Sequence, residues 1–243
     1  MNKKNIIIFA LLLTISNLSF AAAETSNLIK EYKAIDNINN KASLQRGAKY
    51  FVNYCSGCHS LKYMRMTTLA KDLDIEEKIF TKNLIFSSKK IGETMTIAMN
   101  QKDAEKWFGA APPDLSLIAR SKGADYVFAK LNTYYEDDES LTGYNNLAYP
   151  NTSMPNILAN LQGGQKLILD SHNKPEKFTQ VSSGSYSEKE YAQLTNDITN
   201  FLVYVSEPAK LKRYSMGFWV LMFIFLFTVI AYYTKKEFWK DIH

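Results

Sequence analysis

Cysteine and histidine are close to absent from this chain, with two of the first and three of the second in 243 residues. A structural zinc site needs four ligands, and without a second cysteine pair the sequence cannot supply the usual sets. No strand-rich pattern surrounds the two cysteines, so a thioredoxin-like dithiol lacks its βαβ setting. Internal repeats and low-complexity tracts are also missing. A true excess of charge is missing too. The formal net charge is +5 for the whole chain, but residues 24–207 carry 21 Lys and Arg against 22 Asp and Glu. The surplus lies at the two ends, so the sequence argues against nucleic acid as a partner.

What cysteine there is falls in one place, Cys55-Ser56-Gly57-Cys58-His59. Two thiols spaced by two residues with a histidine directly after form the attachment signature of c-type haem. Each thiol makes a thioether to one vinyl group, and His59 then reaches the iron as proximal ligand. The expected cofactor is one covalently attached haem c.

The ends define location. Lys3 and Lys4, the apolar run Ile6 to Leu13 and the small residues Ala21-Ala22-Ala23 read as a secretory signal over residues 1–23. The run is too short to span a bilayer. From Tyr214 to Tyr233 there is no charged residue. Twenty residues at about 1.5 Å each give about 30 Å, the thickness of a hydrocarbon core. Tyr214 and Trp219 near one end, and Tyr232, Tyr233 and Trp239 near the other, suit the two interfaces. Both flanks are basic, so the signal sets the orientation. The expected plan is an exported domain over 24–207, an anchor over 208–234 in membrane lipid and an inner tail over 235–243. That places a single-pass protein in the inner (cytoplasmic) membrane, with its large domain on the periplasmic side.

The exported part is long enough for one cored domain. The expected fold class is all-α with long loops. Leu44, Ala48, Phe51 and Val52 share a helical face just ahead of the cysteines. Ser187 and Glu190 form a capping box, and Tyr191, Leu194, Ile198, Phe201, Leu202 and Val205 follow at helical spacing until Pro208. Ile91, Met95, Ala98 and Met99 predict a third helix. Residues 132–165, rich in Asn, Tyr, Pro and Gly, read as one long loop.

A c-type haem that only trades electrons needs a sixth ligand. Met64 and Met66 lie too near His59 to reach the opposite face. Met95 and Met99 read as core. Met154 sits in Tyr149-Pro-Asn-Thr-Ser-Met-Pro155, where Pro155 restricts the backbone. His172 is the remaining candidate, though a lone histidine in a polar loop usually stays at the surface.

Three segments carry a resemblance. Gln45 through Ser60, Ala111-Pro-Pro-Asp-Leu-Ser116 with Arg120, and Tyr149-Pro150 through Met154-Pro155 occur in order and are followed by one anchor. Together they resemble the cytochrome c1 family, the haem subunit of the quinol–cytochrome c oxidoreductase. The resemblance implies a class I cytochrome fold in which the helices around Gly47 and Leu194 cross. It implies that Met154 is the axial ligand opposite His59, that Pro112 and Pro113 line the haem, and that Arg120 pairs with a propionate. The last role is chemically sound, since a guanidinium matches a carboxylate with two hydrogen bonds. It also implies cytochrome b, a Rieske iron–sulfur protein as electron donor, a soluble c-type cytochrome as acceptor, and a dimeric complex. The acidic run Glu136-Asp137-Asp138-Glu139 would suit a basic acceptor.

The competing classes are an anchored haem peroxidase, a sensor, and a haem subunit of a terminal oxidase. A peroxidase needs an open iron position and an acid–base group, for which histidine is too scarce. A sensor needs an output module, and few residues follow the anchor. No independent catalytic site is expected.

Overall fold

The structure is a computed structural model that describes residues 27–87 and 89–240. The secretory signal expected over 1–23 lies outside the described residues. In chain order the elements begin with a 3-10 turn at Asn27–Glu31. There follow α1 (Lys41–Tyr50), which runs into a π-type turn at Phe51–Cys55, then β1 (Leu61–Arg65), α2 (Met66–Asp72) and α3 (Glu77–Leu84). The middle holds β2 (Thr94–Met95), α4 (Gln101–Phe108), α5 (Ile118–Lys122), α6 (Ala124–Asn132), β3 (Tyr134–Glu136), β4 (Tyr144–Asn146) and α7 (Ala159–Gln162). The chain closes with β5 (Gln165–Leu169), β6 (Pro175–Gln180), α8 (Glu188–Ser206) and α9 (Ala209–Phe238).

The frame is helical, as expected, and α8 is its post. Its capping box is formed: the Ser187 hydroxyl accepts from the Glu190 amide, and the Glu190 carboxylate accepts from the Ser187 amide. Every residue from Leu194 to Ser206 is buried, so the helix meets neighbours on all sides. On one side α1 crosses it. A Cβ on Gly47 would lie 2.1 Å from the Asp197 carbonyl oxygen and 2.6 Å from the Phe201 Cβ. The two backbones therefore touch, and only glycine permits that approach. Around the crossing, Leu44, Ala48 and Phe51 pack with Leu194, Ile198 and Phe201. The rings of Phe51 and Phe201 lie 5.5 Å apart, an arrangement that adds about 1 kcal/mol beyond area burial.

The polar residues inside α8 are matched, Ser206 at its end excepted. Asp197, 1 % exposed, takes both Arg46 Nε at 2.6 Å and Ser43 Oγ at 2.5 Å. Asn196 accepts from the Ile35 amide at 2.8 Å, and Asn200 accepts from the Asn37 amide at 3.2 Å. They tie the extended N-terminal segment to the post. Among the described residues only the Ser206 hydroxyl is buried without a partner.

Two expectations change. No helix forms over Ile91 to Met99. Thr94 and Met95 pair with β1 instead, Met66 N donates to Glu93 O at 3.0 Å, and Ile97 N donates to Ser60 Oγ at 3.0 Å. The apolar spacing there reflects Met95 facing the core from a short strand. Helix begins only at α4, capped by Asn100. Residues 132–165 are also more ordered than one loop. They hold β3, β4 and α7, and β3 and β4 form an antiparallel hairpin. Its amides do the work of a core: fully buried Asn146 donates to Lys130 O at 2.9 Å and accepts from Tyr149 N at 3.0 Å. With β5 and β6, the described residues contain three two-stranded sheets, which ornament the helical frame.

α8 ends at Ser206 and α9 starts after Pro208. Lys210 pairs with Asp36 at 2.9 Å, and Arg213 pairs with Glu207. Met216–Phe238 has a mean hydropathy of 2.1, and none of its most apolar stretch is buried. Its exposed apolar surface and length are those of a membrane span. The helix runs four residues past the expected end at 234, into the expected tail.

Replacing Gly47 with Ala should destabilise the domain by about 3 kcal/mol, because a backbone carbonyl occupies the space the methyl needs. Denaturant unfolding of the holoprotein measures it. A midpoint within error of the parent would contradict the crossing.

Candidate haem-attachment site

The site begins where α1 loosens. The π-type turn lets Ser56 N reach Phe51 O at 2.9 Å. The amides of Cys58 and His59 then both point to the Cys55 carbonyl, at 3.1 and 2.9 Å. The five-residue motif thus curls round one oxygen, which sets both thiols and the imidazole on a single turn. Cys55 is buried, Cys58 half-buried, and both are free thiols.

Burial pushes the Cys55 thiol up to about 12. Such a group yields little thiolate at neutral pH, which disfavours dithiol redox chemistry. The zinc reading also loses ground, since no group of three His, Cys, Asp or Glu stands together among the described residues.

His59 is 9 % exposed, and its Nδ1 lies 2.7 Å from the Pro113 carbonyl oxygen. A carbonyl only accepts, so Nδ1 carries the proton and Nε2 keeps its lone pair. Burial lowers the His59 pKa against the opposing pull of Pro113 and Asp114, so the imidazole stays neutral. This is the tautomer an axial ligand needs.

The Pro113 carbonyl is held by a latch. Leu115 N donates to Ser60 O at 2.9 Å, and Lys62 N donates to Asp114 Oδ2 at 2.9 Å. Asp114 Oδ1 accepts from Ser116 N at 2.9 Å, and fully buried Ser116 accepts from Tyr63 N at 3.2 Å. Sequence reasoning placed Pro113 as a lining residue but missed its carbonyl. It missed Asp114 and Ser116 as well, although an Asp two residues before a Ser is a readable turn signal.

The structure brings Cys55, Cys58, His59 and Pro113 together. Met154 stands in the loop between β4 and α7, half-buried, with its amide donating to Thr152 Oγ1 at 3.3 Å and its carbonyl accepting from Tyr134 OH at 3.2 Å. Met64, Met66 and Met95 are core residues, and His172 is exposed on the β5–β6 turn beside Ser171. Pro112 is half-buried on the same strand of loop as Pro113, and Arg120 is exposed on α5. Arg120 has no ion pair among the described residues.

The family model of the Cytochrome C1 family matches residues 31–105 and 88–242. The chain belongs to the cytochrome c1 family. It is similar to a cytochrome c1 of Allochromatium vinosum, with 45 % identity over 85 % of this chain and 87 % of that one. It is also similar to a protein of Nitrosomonas europaea named ammonia monooxygenase gamma subunit, with 40 % identity over 96 % of this chain and 97 % of that one. A mitochondrial cytochrome c1 haem protein of Schizosaccharomyces pombe is 26 % identical over 83 % of this chain and 67 % of its own length. As a cytochrome c1, the chain is a membrane-anchored electron-transport subunit of the cytochrome bc1 complex with one covalently attached haem c. Cytochrome b and the Rieske protein are its companions there. The residues present fit that group: two free thiols on one turn, a neutral buried imidazole with Nε2 unengaged, and no competing metal cluster among the described residues.

Serine in place of either Cys55 or Cys58 should leave a single thioether and lower the haem retained after acid–acetone extraction. The double substitution should leave almost none. Pyridine haemochrome spectra of extracted and unextracted protein give the fraction.

Proposed function

We propose that His59 and Met154 close both axial positions of the haem iron in this cytochrome c1. In that reading the chain takes one electron from the Rieske protein and passes it to a soluble c-type cytochrome. The hydrogen bond from His59 Nδ1 to Pro113 O carries the reading, because it presets Nε2 as donor on a residue fixed by the attachment motif. Bound haem supplies a one-electron couple with no open position for oxygen chemistry. The protein's part is to orient the imidazole, to anchor both thiols and to present a thioether from a loop clamped at both the amide and the carbonyl of Met154. Thioether sulfur is soft and favours ferrous iron, which raises the potential relative to a bis-histidine pair. Arg120, with no carboxylate partner among the described residues, is available to a propionate.

The secretory signal expected over 1–23 and the apolar helix support a periplasmic haem domain on the inner membrane, and membership of the family supports a dimeric complex. The ties from Lys210 to Asp36 and from Arg213 to Glu207 fix the domain to the head of its anchor.

The acidic run divides in two. Asp137 accepts from Asn145 Nδ2 at 2.8 Å and from Glu139 N at 3.1 Å, so it shapes the β3–β4 turn. Asp138 and Glu139 are exposed and are the pair offered to a basic acceptor.

Changing Met154 to Leu should keep the haem attached and lower the reduction potential by at least about 60 mV, tenfold in the one-electron equilibrium. Redox titration reads it, and an unchanged potential removes Met154 from the iron. Isolation of the tagged chain should bring down a b-type cytochrome and an iron–sulfur protein. A monooxygenase in their place, as the name of the Nitrosomonas relative would suggest, would overturn the assignment of partners. The pair Asp138→Asn and Glu139→Gln should slow reduction of a basic soluble cytochrome about threefold at low salt, and not at about 1 M salt. Stopped-flow rates with no difference at low salt would retire the docking role.

A further inference from the structure

Lys130, on the last turn of α6, is a half-buried cation with no carboxylate partner among the described residues. Its Nζ donates to Thr152 Oγ1 at 2.7 Å. The same ammonium lies 4.9 Å from the centre of the Tyr134 ring and 5.1 Å from that of Tyr149. Burial lowers its pKa to about 8, a measure of what this placement costs the charged form. An aliphatic side chain would fill the space without that cost, so packing alone does not account for a lysine.

What the ammonium touches does account for it. Thr152 is 6 % exposed, and its hydroxyl oxygen also takes the Met154 amide. Tyr134 is 2 % exposed, and its hydroxyl donates to the Met154 carbonyl. One cation therefore contacts the side chain that holds each end of Met154. Asn146 anchors the base of the arrangement through the Lys130 carbonyl.

We propose that Lys130 is a positioning residue for the axial thioether, its ammonium locking Thr152, Tyr134 and Tyr149 into the clamp that presents Met154 to the iron. This rests on the reading of Met154 as sixth ligand. Lysine suits the task because one ammonium offers three donors and also attracts ring faces. Without it the threonine rotor and the tyrosine ring are free to turn, and the Met154 loop loosens although every ligand remains.

The test uses the intact complex with haem attached. Three quantities are read: the ferric sulfur-to-iron absorption band, carbon monoxide binding to the ferrous form, and the reduction potential. Lys130→Met should weaken the band and admit carbon monoxide. It should also lower the ratio of reduced to oxidised haem at fixed potential about three- to tenfold, where tenfold is about 59 mV. Lys130→Arg, which keeps a charged donor, should restore most of the band. Thr152→Val retains the lysine and the volume but breaks the link, so it should reproduce the loss. The double variant should then be no worse than either single one, as expected of groups acting as a unit. Should Lys130→Met fail to fold, Lys130→Gln, which lacks the charge that attracts both rings, takes its place with the same expected losses. A lower potential with the band intact and no carbon monoxide binding would mean charge acting at a distance, and would overturn positioning. Met154→Leu runs in parallel. If it abolishes the band while Lys130→Met and Thr152→Val do not, only the role of Lys130 fails. If it keeps the band, the ligand reading itself has failed.

Discussion

The contact of two helix backbones at Gly47 is the constraint on which the rest of this domain depends. Because α1 lies directly against α8 at Asp197 and Phe201, the C-terminal end of α1 is set in place. The attachment motif begins at that end. A wider crossing would carry the two thiols and His59 away from the loop that supplies Pro113. The ion pair of exposed Arg46 with buried Asp197 sits at the same crossing and is costly to break from the Arg46 side, since the buried Asp197 carboxylate would lose its cation. Packing and charge thus agree on one geometry.

Beyond that crossing, much of the order comes from side-chain amides and hydroxyls in place of regular backbone ladders. Asn146, Asn132, Thr133 and Thr152 are buried polar residues that bond to backbone groups and to one another across a stretch with little apolar content. Asp114 and Ser116 do the same beside His59. Such networks are rigid when every member is paired. Rigidity is what an electron carrier gains from, since a ligand that moves with oxidation state slows transfer. The two axial candidates are served by separate networks. His59 is oriented through a backbone carbonyl, whereas Met154 is held by its own peptide.

Legibility followed range. The α8 capping box and its apolar stripe were readable because their signals lie within four residues of one another. The anchor was readable because a bilayer imposes length and composition on one continuous segment. The stripe from Ile91 to Met99 misled, because its apolar spacing serves a short strand whose partner, β1, lies some thirty residues earlier. The stretch 132–165 looked structureless because its order comes from buried amides, which carry no periodic hydrophobic signal.

By itself the sequence determined the chemistry: two thiols and an imidazole at one fixed spacing, a thioether in a proline-bounded loop, and an apolar segment of membrane length. Those are covalent or strictly local facts, and no fold alters them. Only the tertiary structure decided which nitrogen of His59 carries the proton, since Pro113 lies 54 residues away. It alone separated Asp137, engaged in its turn, from Asp138 and Glu139, and it alone gathered Lys130, Tyr134 and Thr152 behind Met154. Hydrogen-bond partners so distant in the chain meet only after the helices have crossed, and the physics of a site is set by those partners as much as by the residues it contains.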